Sequence, residues 1–135
     1  MKKVYAANIS EIARLVENLE AFCDEHNVDA PTLFAFNLCI DEIFTNIVDY
    51  GYKHLTGEIE IELTIANDKM RALISDSAPP FNPLAEVGDP KLDTNLEDRE
   101  VGGLGIFFVK KQMDEVAYAR RNGRNELRLT KKLKC

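Results

Sequence analysis

The chain predicts an α+β fold, a two-layer α/β sandwich in which helices cover one face of a mixed, mostly antiparallel sheet. Three observations predict it. Two stretches with helical apolar periodicity come first, at Ser10 to Asn27 and Pro31 to Tyr52. Ile59, Ile61, Leu63 and Ile65 then alternate with Glu58, Glu60, Glu62 and Thr64, the pattern of a strand with one face buried. A further helical pattern and a hairpin signal at Asn122 and Gly123 close the chain. At 135 residues this is enough for one core and is read as a single domain, 1–135.

Each element has its own warrant. Val4 to Ala6 is read as a short edge strand. In the first helix Ile12, Leu15, Val16, Leu19 and Phe22 share a face, with Asn8 or Ser10 available as cap. Asn27 to Ala30 turns the chain, and Pro31 suits a helix start because its missing N–H would be unpaired there anyway. In the second helix Leu33, Phe36, Ile40, Ile43, Phe44 and Ile47 form the apolar face, opposite Asn37, Asp41, Glu42, Thr45, Asn46 and Asp49. Asn67 and Asp68 join the alternating strand to a second one, Met70 to Ser75. Ser77 to Val101 carries four prolines and no sustained period, and a loop of that length inside a domain is usually functional or disordered. Gly102 to Gln112 reads as a third helix, and Glu115 to Arg120 and Glu126 to Lys131 as the closing hairpin.

Composition excludes several classes. The net charge is −6, with 23 acids against 17 bases, so a nonspecific nucleic-acid surface is not expected. No apolar run reaches the roughly 18 residues of a membrane span and the first residues lack a signal-type apolar core, which predicts a cytoplasmic protein. Cys23, Cys39 and Cys135 are odd in number and lack metal-ligand spacing, so they are read as structural thiols.

Chemistry concentrates in three segments. The second helix holds Asp41, Glu42 and Asp49 but no lysine or arginine, and like charges at helical spacing cost a few tenths of a kcal/mol per pair unless something balances them. A carboxylate and an amide oxygen on one face, as at Glu42 and Asn46, suit a hydrated hard cation and an attacking oxygen. The second segment, Asp76-Ser77-Ala78-Pro79-Pro80-Phe81-Asn82-Pro83, begins where a buried strand ends. Its aspartate can point into a cleft as the acceptor for an exocyclic amine such as that of adenine. The third, Gly102-Gly103-Leu104-Gly105, enters a helix, and glycines there let backbone N–H groups approach phosphates.

In this order the segments resemble the N, G1 and G2 boxes of the Bergerat-fold (GHKL) ATPases, which include gyrase, histidine kinases and MutL. The run Asp41-Glu42-Ile43-Phe44-Thr45-Asn46-Ile47, with Tyr50-Gly51-Tyr52 after it and Met113-Asp114-Glu115-Val116 later, is similar to the anti-sigma factor serine/threonine kinases of the RsbW and SpoIIAB type. The likeness runs from about Asn8 to Lys131. It implies ATP and Mg2+ as cofactors, Glu42 as general base and Asn46 as magnesium ligand. It also implies nucleotide contacts from Asp49, Asp76, Ala78, Phe81, Gly102, Gly103, Leu104 and Gly105. Arg99 lies near the family's lid arginine, where a guanidinium stabilises charge on the transferring phosphoryl group. The implied acceptor is a STAS-domain anti-sigma factor antagonist, with a sigma factor as second partner and a homodimer through the N-terminal helices or sheet edges.

The chain also departs from that pattern. Ala78 and Pro80 stand where many relatives have glycine, which stiffens the turn, and Asp49 stands where a basic residue or histidine is common. These departures favour the alternative of a nucleotide-dependent binding module with little kinase activity; Glu42 favours the kinase. A domain without nucleotide requires all three motifs to be accidental. His54 is expected in solvent, His26 to serve the helix dipole, and Arg120, Arg121, Arg124, Arg128, Lys131, Lys132 and Lys134 to solubilise the last hairpin or offer a docking surface.

Overall fold

The computed structural model describes residues 1–86 and 103–133. Strand β1 (Lys2–Ala6) leads through a 3-10 turn (Ile9–Glu11) into α1 (Ile12–Glu25). Asn8 caps this entry, its side chain accepting from Ser10 N, so Asn8 rather than Ser10 is the cap. Helix α2 (Ala30–Asn46) is capped by Asp29, whose carboxylate accepts from Thr32 N at 3.0 Å, and Pro31 falls at the second helical position. The helix does not run on in α geometry to Tyr52. Ile47–Gly51 is π-helical, closed by Tyr52 N donating to Ile47 O at 2.8 Å, and Lys53 and His54 then take left-handed φ values of 53° and 64°. A π turn widens the helix by one residue, a local distortion frequent at functional sites.

Strands β2 (Glu58–Ala66) and β3 (Lys69–Asp76) form the expected hairpin, with Asn67 and Asp68 both at positive φ. A short helix α3 (Pro83–Glu86) and helix α4 (Gly103–Gln112) precede the hairpin of β4 (Glu115–Arg121) and β5 (Arg124–Lys132). The sheet order is β1-β2-β3-β5-β4, and every pairing among the described residues is antiparallel. The mixed character expected of the sheet is therefore not present there. The reason is topological: β4 runs in the same sense as β3, but β5 folds back into the slot between them.

The inward faces of β2, β3 and β5 meet α1, α2 and α4 in one core, in which Tyr5, Leu19, Phe36, Ile43, Phe44, Ile61, Met70 and Ile106 are fully buried. The other face of the sheet is polar, carrying Glu60, Glu62, Arg71 and Arg128, with Lys2 and Glu60 at 3.8 Å and Arg121 and Glu126 at 3.6 Å. The helix layer and the carboxyl end of β3 thus face one another, which is where the three sequence segments fall.

Candidate functional site

Helical spacing places Glu42 and Asn46 one turn apart on α2, and Asn46 Nδ2 lies 3.4 Å from Glu42 Oε1. Asn46 is not on an exposed polar face as its position in the pattern suggested; it is 2% exposed, enclosed where α2 gives way to the π turn. With its N–H turned to the carboxylate, its amide oxygen is left for a cation or water. Among the described residues no three His, Cys, Asp or Glu side chains gather as a metal cage. A hard cation would therefore combine the Asn46 oxygen with oxygens brought by its ligand, the usual arrangement for Mg2+ on phosphates.

Glu42 is half-buried, and burial pushes its carboxyl above the ordinary value, opposed by the Asn46 bond and reinforced by the charges of Asp41 and Asp49. That shift moves a glutamate toward a better proton acceptor. Glu42 also abuts the first turn of α4. A Cβ placed on Gly105 would lie 1.9 Å from Glu42 Cδ and 2.1 Å from Oε1, so only glycine lets α4 come this close. Gly105→Ala is expected to push the carboxylate aside, since the obstructing atoms end a flexible side chain. Any activity that uses Glu42 should then fall at least ~tenfold, while stability changes by less than ~1 kcal/mol because helical alanine offsets the clash. Paired turnover and thermal-melt measurements check this.

The second segment is a bonded turn. Asp76, 3% exposed, accepts from Ala78 N and from Asn125 Nδ2, both at 2.9 Å and both on Oδ1. Among the described residues none donates to Oδ2, so one oxygen of a buried carboxylate is left for an incoming N–H donor. Burial raises the Asp76 pKa, against the lowering bonds from Asn125 and Ala78 and the charges of Arg124 and Arg120. The space left beside Asp76, among Ile43, Phe81, Tyr118 and Asn125, is about 10 Å³, room for about one water. Ala78 is buried and is not among the residues at positive φ, so alanine fits this turn without strain. Phe81 packs near Tyr50, ring centroids 6.1 Å apart, and its N–H donates to Asn125 Oδ1 at 3.2 Å.

Two groups here escaped the sequence reading. Asn125 lies opposite Asp76 in the β3–β5 register and also donates to Pro79 O at 3.1 Å, while Tyr118 OH donates to its Oδ1. The signal was available: Asn125, Leu127 and Leu129 alternate on the inward face of β5, and a polar residue on that face is informative. Arg120 and Arg124, expected to be solubilising, hold the turn instead. Arg120 Nη1 donates to Ala78 O at 2.8 Å and Arg124 Nη1 to Ser77 Oγ at 2.8 Å. Tyr52 closes the other side, its hydroxyl donating to Glu58 O and accepting from Ser77 N.

The remaining candidates divide. Asp49 is partly buried and its Oδ1 lies 3.2 Å from His54 Nε2, so His54, although exposed, faces a carboxylate rather than open solvent. Gly103 and Leu104 belong to the first turn of α4. Arg99 and Gly102 lie outside the described residues. Cys23 and Cys39 are buried with thiols pushed up to about 11, which keeps them protonated and unreactive, in keeping with a structural role. Among the described residues no helix is long and apolar enough to cross a membrane.

Comparison with known proteins gives the family and the fold. Residues 5–131 match the histidine kinase-like ATPase domain family. The chain is similar to proteins named serine-protein kinase RsbW from Staphylococcus aureus strains JH9 and Newman. With each it shares 32% identity over 91 residues, 64% of this chain and 57% of the relative. The match thus spans little more than half the length of those relatives. The fold is similar to a crystal structure of the RsbU and RsbW domains of Rv1364c from Mycobacterium tuberculosis. The TM-score is 0.68 at 15% identity, covering 98% of this chain and 31% of that one.

Proposed function

The chain belongs to the histidine kinase-like ATPase domain family, and from that membership we propose that it is an ATP-dependent, cytoplasmic serine/threonine protein kinase of a partner-switching system. Its acceptor in this reading is a STAS-domain anti-sigma factor antagonist; a sigma factor is the second partner. The observation that carries the reading is the Glu42 environment: a half-buried carboxylate of raised pKa, bonded to Asn46 and packed against Gly105.

ATP would supply the phosphoryl group, and a magnesium ion bound with it most of the charge neutralisation. The protein's residues do the rest. Asp76, with Oδ2 left without a donor among the described residues, would accept from the adenine amine, and Asn125, Arg120 and Arg124 hold the turn that presents it. Asn46 would offer its oxygen to the cation. Glu42 orients the incoming hydroxyl and takes its proton at a carboxylate oxygen. Phosphoryl transfer is loose and depends more on positioning than on strong deprotonation, so a moderately raised carboxyl is sufficient. Asp49, Gly103, Leu104 and Gly105 stand at the phosphate side in this scheme.

A binder that uses nucleotide only to grip a partner has less support. Ala78 sits without strain and Asp49 faces His54, which accommodates two of the departures that favoured it. The test is transfer of labelled phosphate from ATP to purified STAS-domain proteins, with and without Mg2+. Asn46→Ala is expected to abolish the Mg2+ dependence and lower transfer by at least ~100-fold. ATP binding by the wild type without transfer to any such acceptor would leave the binder.

The pH profile follows from Glu42. It accepts a proton only when ionised, and burial holds its carboxyl above the ordinary glutamate value, so activity should rise with pH through an acid limb. A kcat that shows no acid limb with saturating acceptor, or an acid limb that Glu42→Gln leaves unchanged, would count against Glu42 as the base.

A further inference from the structure

We propose that Phe34 and Leu38 on α2, with Phe108 on α4, form the seat of the protein whose serine or threonine hydroxyl is presented to Glu42, an inference that rests on the kinase reading above. These are among the large apolar side chains that the fold leaves in water, 65%, 48% and 57% exposed.

Their placement is what distinguishes them. Phe34, Leu38 and Glu42 follow one another at four-residue steps, so they lie on one side of α2 and lead to the carboxylate. Gly105 touches Glu42 across the α2–α4 contact, and Phe108 is three residues further along α4. From that contact α4 packs onto the core through Ile106 and Val109, which leaves Phe108 turned outward beside them. Lone exposed apolar side chains are ordinary, but a group of them beside a polar reaction centre marks a protein contact. Helix propensity does not ask for them, since Gln, Lys or Glu serves a water-facing helical position better than Phe.

Charge narrows the occupant. Asp41 is exposed beside Leu38, no described residue forms an ion pair with it, and α2 with its π extension contains no lysine or arginine. The surface thus suits a partner that brings apolar side chains together with a cation directed at Asp41. A second copy of this chain, which is acidic overall, matches it less well. An acceptor seated there has its hydroxyl within a turn of Glu42, and seating and proton transfer become properties of one surface.

The test is steady-state phosphotransfer to the STAS-domain protein that accepts phosphate in the assay above, comparing wild type with Phe34→Gln, Leu38→Gln and Phe108→Gln, singly and combined, and with Asp41→Lys. The combined variant is expected to raise the acceptor's KM at least ~tenfold, with kcat, ATP affinity and Tm within about twofold or a few degrees of wild type. Asp41→Lys should raise KM as well, by ~threefold or more, and lessen its salt dependence. If the combined variant does not fold, Leu38→Gln alone carries the comparison. An unchanged acceptor KM overturns the proposal, and an unchanged KM with a dimer converted to monomer in sedimentation assigns the stripe to a second copy instead. A wild type that transfers no phosphate to any STAS protein fails at the kinase reading itself, visibly and before any variant is compared, and removes this inference with it.

Discussion

Glu42→Gln is expected to lower phosphotransfer by ~10²–10⁴-fold, the range for removing a positioned general base, while raising thermal stability. The two effects have one cause. In the native protein the carboxylate is half-buried beside Asp41 and Asp49, and the fold holds its pKa above the value it has in the unfolded chain. The sign follows from linkage. A carboxyl of raised native pKa favours the fold while protonated, below its unfolded pKa, and that contribution is lost as pH rises through the native pKa. Glutamine resembles the protonated form at every pH and can still accept from Asn46. The variant's advantage should therefore vanish below about pH 4.5, grow as pH rises through the native pKa, and level off above it. Half exposure to solvent limits the gain to less than ~1 kcal/mol, or about 2–4 °C in Tm. Calorimetric melts of both proteins between pH 4 and 8 give the stability curve, and labelled-phosphate transfer gives the activity. A variant less stable than wild type at pH 7 would mean that Glu42 is structural, with the carboxylate held by bonds that glutamine cannot reproduce. A more stable but inactive variant is the signature of a charge kept in an unfavourable place for its chemistry.

The parts of this site that were legible in the sequence are those written in local pattern. Period-two alternation marked β2, and four-residue spacing put Glu42 and Asn46 together. Turn residues with left-handed backbone marked Asn67, Asp68, Asn122 and Gly123. What escaped depends on contacts between distant segments. Asn46 belongs to the polar half of α2 by pattern and keeps that phase, one turn from Glu42, yet it is buried where α4 packs against this side of α2, a contact between segments that no local pattern shows. Arg120 and Arg124 look like surface charges in a hairpin read alone. They become structural because β5 is inserted beside β3, bringing the end of the last hairpin against Ser77 and Ala78 some 40 residues earlier. The family likeness identified Asp76 without its counterpart across the sheet.

That counterpart gives the largest stability effect expected in this protein. Asn125→Ala removes one amide that joins five partners: it donates to Asp76 Oδ1, Pro79 O and, at 3.4 Å, Ala78 O, and accepts from Phe81 N and Tyr118 OH. The amide is 4% exposed, so water does not readily replace it. A single neutral hydrogen bond contributes ~1 kcal/mol net, but a buried donor left unpaired costs ~1–3 kcal/mol. Here the Phe81 N–H and part of the Asp76 carboxylate lose their partner together, and members of a connected buried network fail by more than their pairwise sum. A loss of ~3 kcal/mol, or about 10 °C in Tm, is expected. The functional consequence follows from the same bonds. Asp76 keeps only Ala78 N to orient it, its pKa rises further with the loss of the lowering amide, and the turn from Pro79 to Phe81 is released on one side. ATP affinity should fall at least ~tenfold, a decrease larger than the loss of stability alone produces at a temperature where the variant is still folded. Asn125→Asp separates the two roles. It keeps an acceptor for Phe81 N and Tyr118 OH but sets a second carboxylate against Asp76, so one proton would be shared at neutral pH. Its melts should recover toward wild type as pH falls and the pair is protonated, whereas those of Asn125→Ala should not. Equal pH dependence in the two variants would show that Asn125 fills space beside Asp76 rather than positioning its charge.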